Sequence, residues 1–139
     1  MLSARAYLAN LAAFLERRLG PFAAPPRLVT NATDESGQLR GVICFPDGCE
    51  LHVNLLVDPN IEPLLPLARY RFHLQDRTGR CVVRFDNKWH SSHQHRQLAT
   101  FPHHLHEGPS EQVQPHPYPS ARQIVRRVLS YHDGHQGLP

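Results

Sequence analysis

Tyr70-Arg71-Phe72-His73-Leu74-Gln75, Asp76-Arg77-Thr78-Gly79, then Arg80-Cys81-Val82-Val83-Arg84-Phe85-Asp86, is the stretch whose reading decides the fold. Tyr70, Phe72 and Leu74 alternate with Arg71, His73 and Gln75, and Cys81, Val83 and Phe85 alternate with Arg80, Val82, Arg84 and Asp86. Period two with an Asp-x-x-Gly turn between predicts an antiparallel hairpin. Pairing Gln75 with Arg80 sets Phe72 opposite Val83 and Arg71 opposite Arg84. The apolar residues then line one face, and Arg71, His73, Arg84 and Asp86 line the other.

Upstream the same period continues. Leu28 to Ala32 and Leu39 to Phe45 read as strands, and Pro46-Asp47-Gly48 is a hairpin turn in which Gly48 supplies positive φ. Cys49, Leu51, Val53, Leu55 and Val57 then alternate with Glu50, His52 and Asn54, which extend the polar face if this strand is a neighbour. Residues 3–19 carry Leu8, Leu11, Phe14 or Leu15, and Leu19 at helical spacing, and Gly20-Pro21 stops the helix. Ser120 and Gln123 form a capping box for a last helix with Ile124, Val125, Val128 and Leu129 on its apolar side, ended by Asp133-Gly134. Asp58 to Pro66 and Lys88 to Pro119 read as mostly irregular, the second with a helical stretch around Ser92 to Leu98. The expectation is α+β: an antiparallel β-sheet of about five strands, an N-terminal and a C-terminal helix packed on one face, the polar face open.

The 139 residues fit a single domain, 1–139, with 40% hydrophobic and 19% charged residues. The formal net charge of +3 is compatible with nucleic acid or an acidic partner. Cys44, Cys49 and Cys81 are odd in number and lack a C-x-x-C, which fits a reducing compartment; all three fall in apolar alternation and read as core residues. The start lacks a signal layout and no apolar run is long enough to span a membrane, so the expected location is cytoplasmic.

Six of the eleven histidines fall between Arg84 and Glu107: His90, His93, His95, His103, His104 and His106. Metal-free cleavage of RNA needs a base for the ribose 2′-hydroxyl, an acid for the leaving oxygen and cations for the phosphorane. His73, His90, His104 and His106 suit the proton transfers, and Arg71 and Arg84 suit phosphate. Asp86 orients a histidine or pairs with Arg84, while Trp89 and Phe101 offer rings for bases and Lys88 a further cation. A metal site is the second reading, with Asp86 or Glu107 completing a histidine shell. The spacing matches no zinc motif, so no cofactor is expected beyond adventitious zinc or nickel on the tract. A third reading is a module that binds nucleic acid without cleaving it.

Taken in order, Tyr70-Arg71-Phe72-His73, Arg84-Phe85-Asp86-Asn87, His90 and Phe101-Pro102-His103-His104-Leu105-His106 resemble the TumE-type toxins of toxin–antitoxin modules. The likeness covers about residues 41–130 and rests on an R-[YF]-D-N segment, a following histidine, and F-P-x-H-x-H before a last helix. It implies a growth-inhibiting toxin of a type II module, neutralised by a cognate antitoxin of helix-turn-helix type, with RNA as substrate and a homodimer compatible with it. Carried over by position, the site would be Arg84, Asp86, Asn87, His90, His104 and His106. Lys88-Trp89 stand where the family pattern has alanine-proline, and Asn54 where an acidic residue is expected. The resulting expectation is a ribonuclease toxin with His73, Arg84, Asp86, Asn87, His90, His104 and His106 as catalytic residues. Arg71, Lys88, Trp89 and Phe101 would contact RNA, and His104 and His106 would sit on an exposed loop.

Overall fold

A computed structural model describes residues 3–24, 27–58, 69–88 and 98–136. Seven strands form one sheet, each paired antiparallel with the next in sequence: β1 Arg27–Ala32, β2 Gly37–Cys44, β3 Glu50–Val57, β4 Arg69–Gln75, β5 Cys81–Asp86, β6 His104–Glu107 and β7 Gln112–Pro115. Two helices flank it in sequence, α1 Ala4–Leu19 and α2 Ala121–Gln136.

The helices form where the local signals are. Ser3 caps α1 by accepting the Ala6 N–H, and Ala4, Leu8, Leu11, Leu15 and Leu19 make its buried stripe. Ser120 and Gln123 cap α2 reciprocally, each side chain bonded to the other's backbone N–H. Both stripes join Leu39, Ile43, Leu51, Val53, Leu55, Phe72, Leu74, Val83 and Phe85 in one apolar cluster. One face of the sheet is therefore the floor of the core, and the polar alternates lie on the other. α2 runs past Asp133-Gly134 to Gln136 rather than stopping there. A helical glycine costs only about 1 kcal/mol, and His132, held 2.9 Å from Asp47 of the β2–β3 turn, anchors this end.

The expected five strands become seven, because Lys88 to Pro119 is not irregular throughout. β6 and β7 lie inside it. β6 reads His-Leu-His-Glu: Leu105 faces the core, while His104 and His106 face Asp86 and Arg84. Its two histidines are buried on the polar face and Leu105 alone faces the core, so the strand carries no hydrophobic alternation. The stretches Pro59 to Pro66 and Trp89 to Gln97, with the helix expected there, lie outside the described residues.

The central hairpin forms with its faces as expected but its register displaced. Phe72 pairs with Phe85, His73 with Arg84 and Arg71 with Asp86, and a bulge between Leu74 and Gln75 puts Gln75 opposite Cys81. Asp76 explains the first step of the shift. Its N–H donates to the Arg80 carbonyl, and its carboxylate accepts the Thr78 N–H, Thr78 hydroxyl and Arg80 N–H. The turn therefore closes between Asp76 and Arg80, one residue tighter than expected, and the bulge between Leu74 and Gln75 supplies the second step of the displacement. A displacement of two preserves which side chains share a face. It also sets Arg71 beside a carboxylate instead of beside Arg84. Cys44 is a further correction: it is exposed, opposite Glu50, while Cys49 and Cys81 are buried.

Candidate functional site

The pairing of β3 through β6 aligns two rows of polar side chains across the sheet. One runs His52, His73, Arg84, His106; the other runs Asn54, Arg71, Asp86, His104. Four consecutive strands in strict register, each with charged or titratable residues at alternate positions, produce this patch.

Its β5–β6 end is closed. Asp86, His104 and His106 are only 3%, 1% and 5% exposed, so the face expected to be open is buried here, and the two histidines occupy a strand rather than an exposed loop. His104 Nε2 lies 2.9 Å from Asp86 Oδ1, and its Nδ1 lies 2.7 Å from the Pro102 carbonyl. Two acceptors at two ring nitrogens are satisfied together when both nitrogens carry hydrogen. His106 Nε2 is 3.9 Å from Asp86 Oδ2. Arg84 Nε donates to Asp86 Oδ2 at 3.0 Å, and its Nη1 lies 2.8 Å from Glu111 Oε1. Burial pushes the Asp86 carboxyl upward, but the His104 bond and charge, the Lys88 N–H and Arg84 outweigh it and bring the pKa down to about 2. The ion pair foreseen between Arg84 and Asp86 therefore exists, as part of a buried network rather than a surface pair.

Glu111 adds a cost that argues for the network. It is the one non-glycine residue with positive φ among the described residues, at 53°, in the β6–β7 turn. That conformation costs about 1–2 kcal/mol, and it sets the carboxylate against Arg84.

The β3–β4 end is more open. Arg71 and Asn54 are exposed, and His52 and His73 are half-buried with ring centroids 6.4 Å apart. Glu50 Oε1 fixes His52 Nε2 at 3.2 Å and also accepts from Gln75. Burial first, then the charges of Arg84, His52 and Arg71, lower the His73 pKa below its ordinary value. Its Nε2 has no hydrogen-bond partner among the described residues. A half-buried imidazole with a lowered pKa, flanked by two guanidinium groups, can take a proton beside a bound anion.

The remaining expected residues fall as follows. Asn87 Oδ1 accepts the Tyr70 N–H at 2.9 Å, tying the start of β4 to the end of β5. Lys88 is exposed just beyond β5, and Phe101 is partly buried in the turn before β6. Trp89 and His90 lie outside the described residues. His103 leaves the polar face and stacks on Tyr70, whose hydroxyl lies 2.9 Å from its Nδ1. His52, Glu50 and Glu111 were not among the residues expected at the site. The register His52↔His73 is the signal that finds the first two. Glu111 is brought in by a β6–β7 turn that the sequence did not announce.

Asp86, His104 and His106 offer donor atoms within 4.8 Å of one another and could hold a metal ion. Arg84 already donates to Asp86 there, so an incoming cation would compete with a guanidinium.

Fold and site together define a small α+β protein bearing a histidine–arginine patch on the sheet face opposite α1 and α2. The chain belongs to the TumE toxin family: the family model described as Toxin TumE matches residues 16–136. No curated protein and no solved structure matches it. Among the described residues no helix is long and apolar enough to cross a membrane.

Proposed function

We propose that this toxin is a metal-independent ribonuclease whose base is His73. The observation that carries the reading is the register that sets the half-buried His73 ring, its pKa lowered, between Arg71 and Arg84 on a shared face. His73 takes the proton of a ribose 2′-hydroxyl, and the 2′-oxygen attacks phosphorus. The bond to the 5′-oxygen breaks, and His52 protonates the leaving oxygen, giving a 2′,3′-cyclic phosphate and a 5′-hydroxyl. The His52 and His73 rings, with centroids 6.4 Å apart, are near enough to act on one phosphate bound over the sheet face. Arg71 and Arg84 stabilise the dianionic phosphorane. Asp86, His104 and His106 act as positioning residues, since their burial keeps them from the substrate while their network fixes Arg84. In this reading Lys88 and Phe101 contact the flanks of the RNA. As a family toxin the chain has an antitoxin partner in this reading, a helix-turn-helix protein encoded beside it, and it acts in the cytoplasm.

The test is induced expression of wild type and His73→Ala in growing cells, with total RNA examined from both. Growth arrest with early RNA fragmentation is expected for wild type. His73→Ala should lose activity by about 100-fold or more and leave RNA intact. Arrest with intact RNA, or fragmentation undiminished in a folded His73→Ala protein, contradicts the reading.

A further inference from the structure

A second group of ligating side chains lies away from the polar face, where the β2–β3 turn meets the last turns of α2. Asp47 and Cys49 come from the turn and His132 from the helix, and a donor atom from each lies within 4.8 Å of those of the other two. We propose that Asp47, Cys49 and His132 bind a thiophilic divalent cation, zinc by its donor chemistry, which clamps α2 to the β2–β3 turn. A thiolate, an imidazole and a carboxylate form a mixed set that suits zinc and leaves a fourth position for water.

The parts are held in place independently of any ion. Asp47 Oδ1 accepts the Cys49 N–H at 2.9 Å, which aims Oδ2 at His132 Nδ1, also 2.9 Å away. Phe45 packs on the His132 ring with centroids 4.3 Å apart. His132 is 4% exposed, yet its Nε2 has no hydrogen-bond partner among the described residues, so the buried ring keeps bonding capacity that the protein does not use. Cys49 is 4% exposed, while Asp47 is open to solvent and gives a route in. The charges acting on Cys49 are those of Asp47 and Asp76, both negative and both favourable to a cation. Binding replaces the S–H bond with a metal–sulfur bond and releases the proton to solvent.

The experiment is a cobalt(II) titration of the full-length, reduced, metal-free protein followed by absorbance. A thiolate-to-cobalt charge-transfer band separates this site from any site built of histidine alone. The band should saturate at one equivalent and bleach when zinc is added. It should vanish in Cys49→Ser and persist in Cys44→Ser/Cys81→Ser and in His104→Ala/His106→Ala. Because Cys49 and His132 are buried, Asp47→Asn is measured beside them. That exposed substitution keeps the carbonyl oxygen for the Cys49 N–H and should weaken cobalt binding by about tenfold or more, with circular dichroism unchanged. No charge-transfer band, a band that survives Cys49→Ser, or Asp47→Asn binding as tightly as wild type overturns the proposal. Nuclease activity does not enter the readout, so this site and the His73 site stand or fall separately.

Discussion

His73 is acted on from both sides of its own strand. Burial and three neighbouring charges lower its pKa, while Arg84 opposite it is steered by the buried carboxylate of Asp86 and the exposed one of Glu111. If His73 is the base, the acidic limb of kcat/KM lies below the ordinary histidine value of 6.5. Arg71→Ala removes one of the lowering charges. Its acidic limb should move to higher pH as the rate falls, and a rate loss with an unmoved limb would make Arg71 a phosphate ligand alone. Asp86 belongs to the same scale. Asp86→Asn leaves Arg84 and His104 facing a neutral amide in a buried place and should cost about 3 kcal/mol, read from urea unfolding. A change below about 0.5 kcal/mol would mean the network is not formed. The sequence made the residue types plain, because histidine and arginine stood at alternate strand positions. It could not reveal the burial of Asp86, His104 and His106, since a His-Leu-His-Glu strand carries no hydrophobic alternation.

At the scale of elements, the central hairpin shows how a face can be legible when a register is not. Alternation fixed the side of every residue in β3, β4 and β5. The Asp76 turn and the bulge between Leu74 and Gln75 then moved the pairing by one residue each, and only the pairing decides that His73 meets Arg84. The helices were read to within a residue at their starts because caps are local signals, whereas α2 outran its expected stop because its anchor, His132 on Asp47, is tertiary. The β2–β3 turn makes its own prediction. Gly48 has φ 88°, and a Cβ there would approach the Arg77 Cβ to 2.6 Å. Gly48→Ala should therefore lower stability by about 1–2 kcal/mol, measured by thermal or urea unfolding. An unchanged stability would show that the two turns do not lie against each other.

For the whole molecule, the helices bury one face of the sheet and leave chemistry to the other, so stability and site are linked mainly through Asp86. Its folded pKa of about 2 is below the ordinary 3.8, so the folded state binds fewer protons than the unfolded one in that range. The stabilisation is therefore full above about pH 4 and is lost as pH falls through about 2. Asp86→Asn should flatten that acid-side fall, and an unaltered profile would place the acid lability elsewhere. In the proposed reaction the His73–His52 pair exchanges the phosphorus bond to the 5′-oxygen for one to the ribose 2′-oxygen. That exchange is tested most directly by incubating RNA with the purified toxin in buffer free of divalent cations and identifying the new ends. The account predicts 2′,3′-cyclic phosphates and 5′-hydroxyls, absent with His73→Ala. Ends bearing 5′-phosphate, or cleavage that requires an added divalent cation, would contradict it.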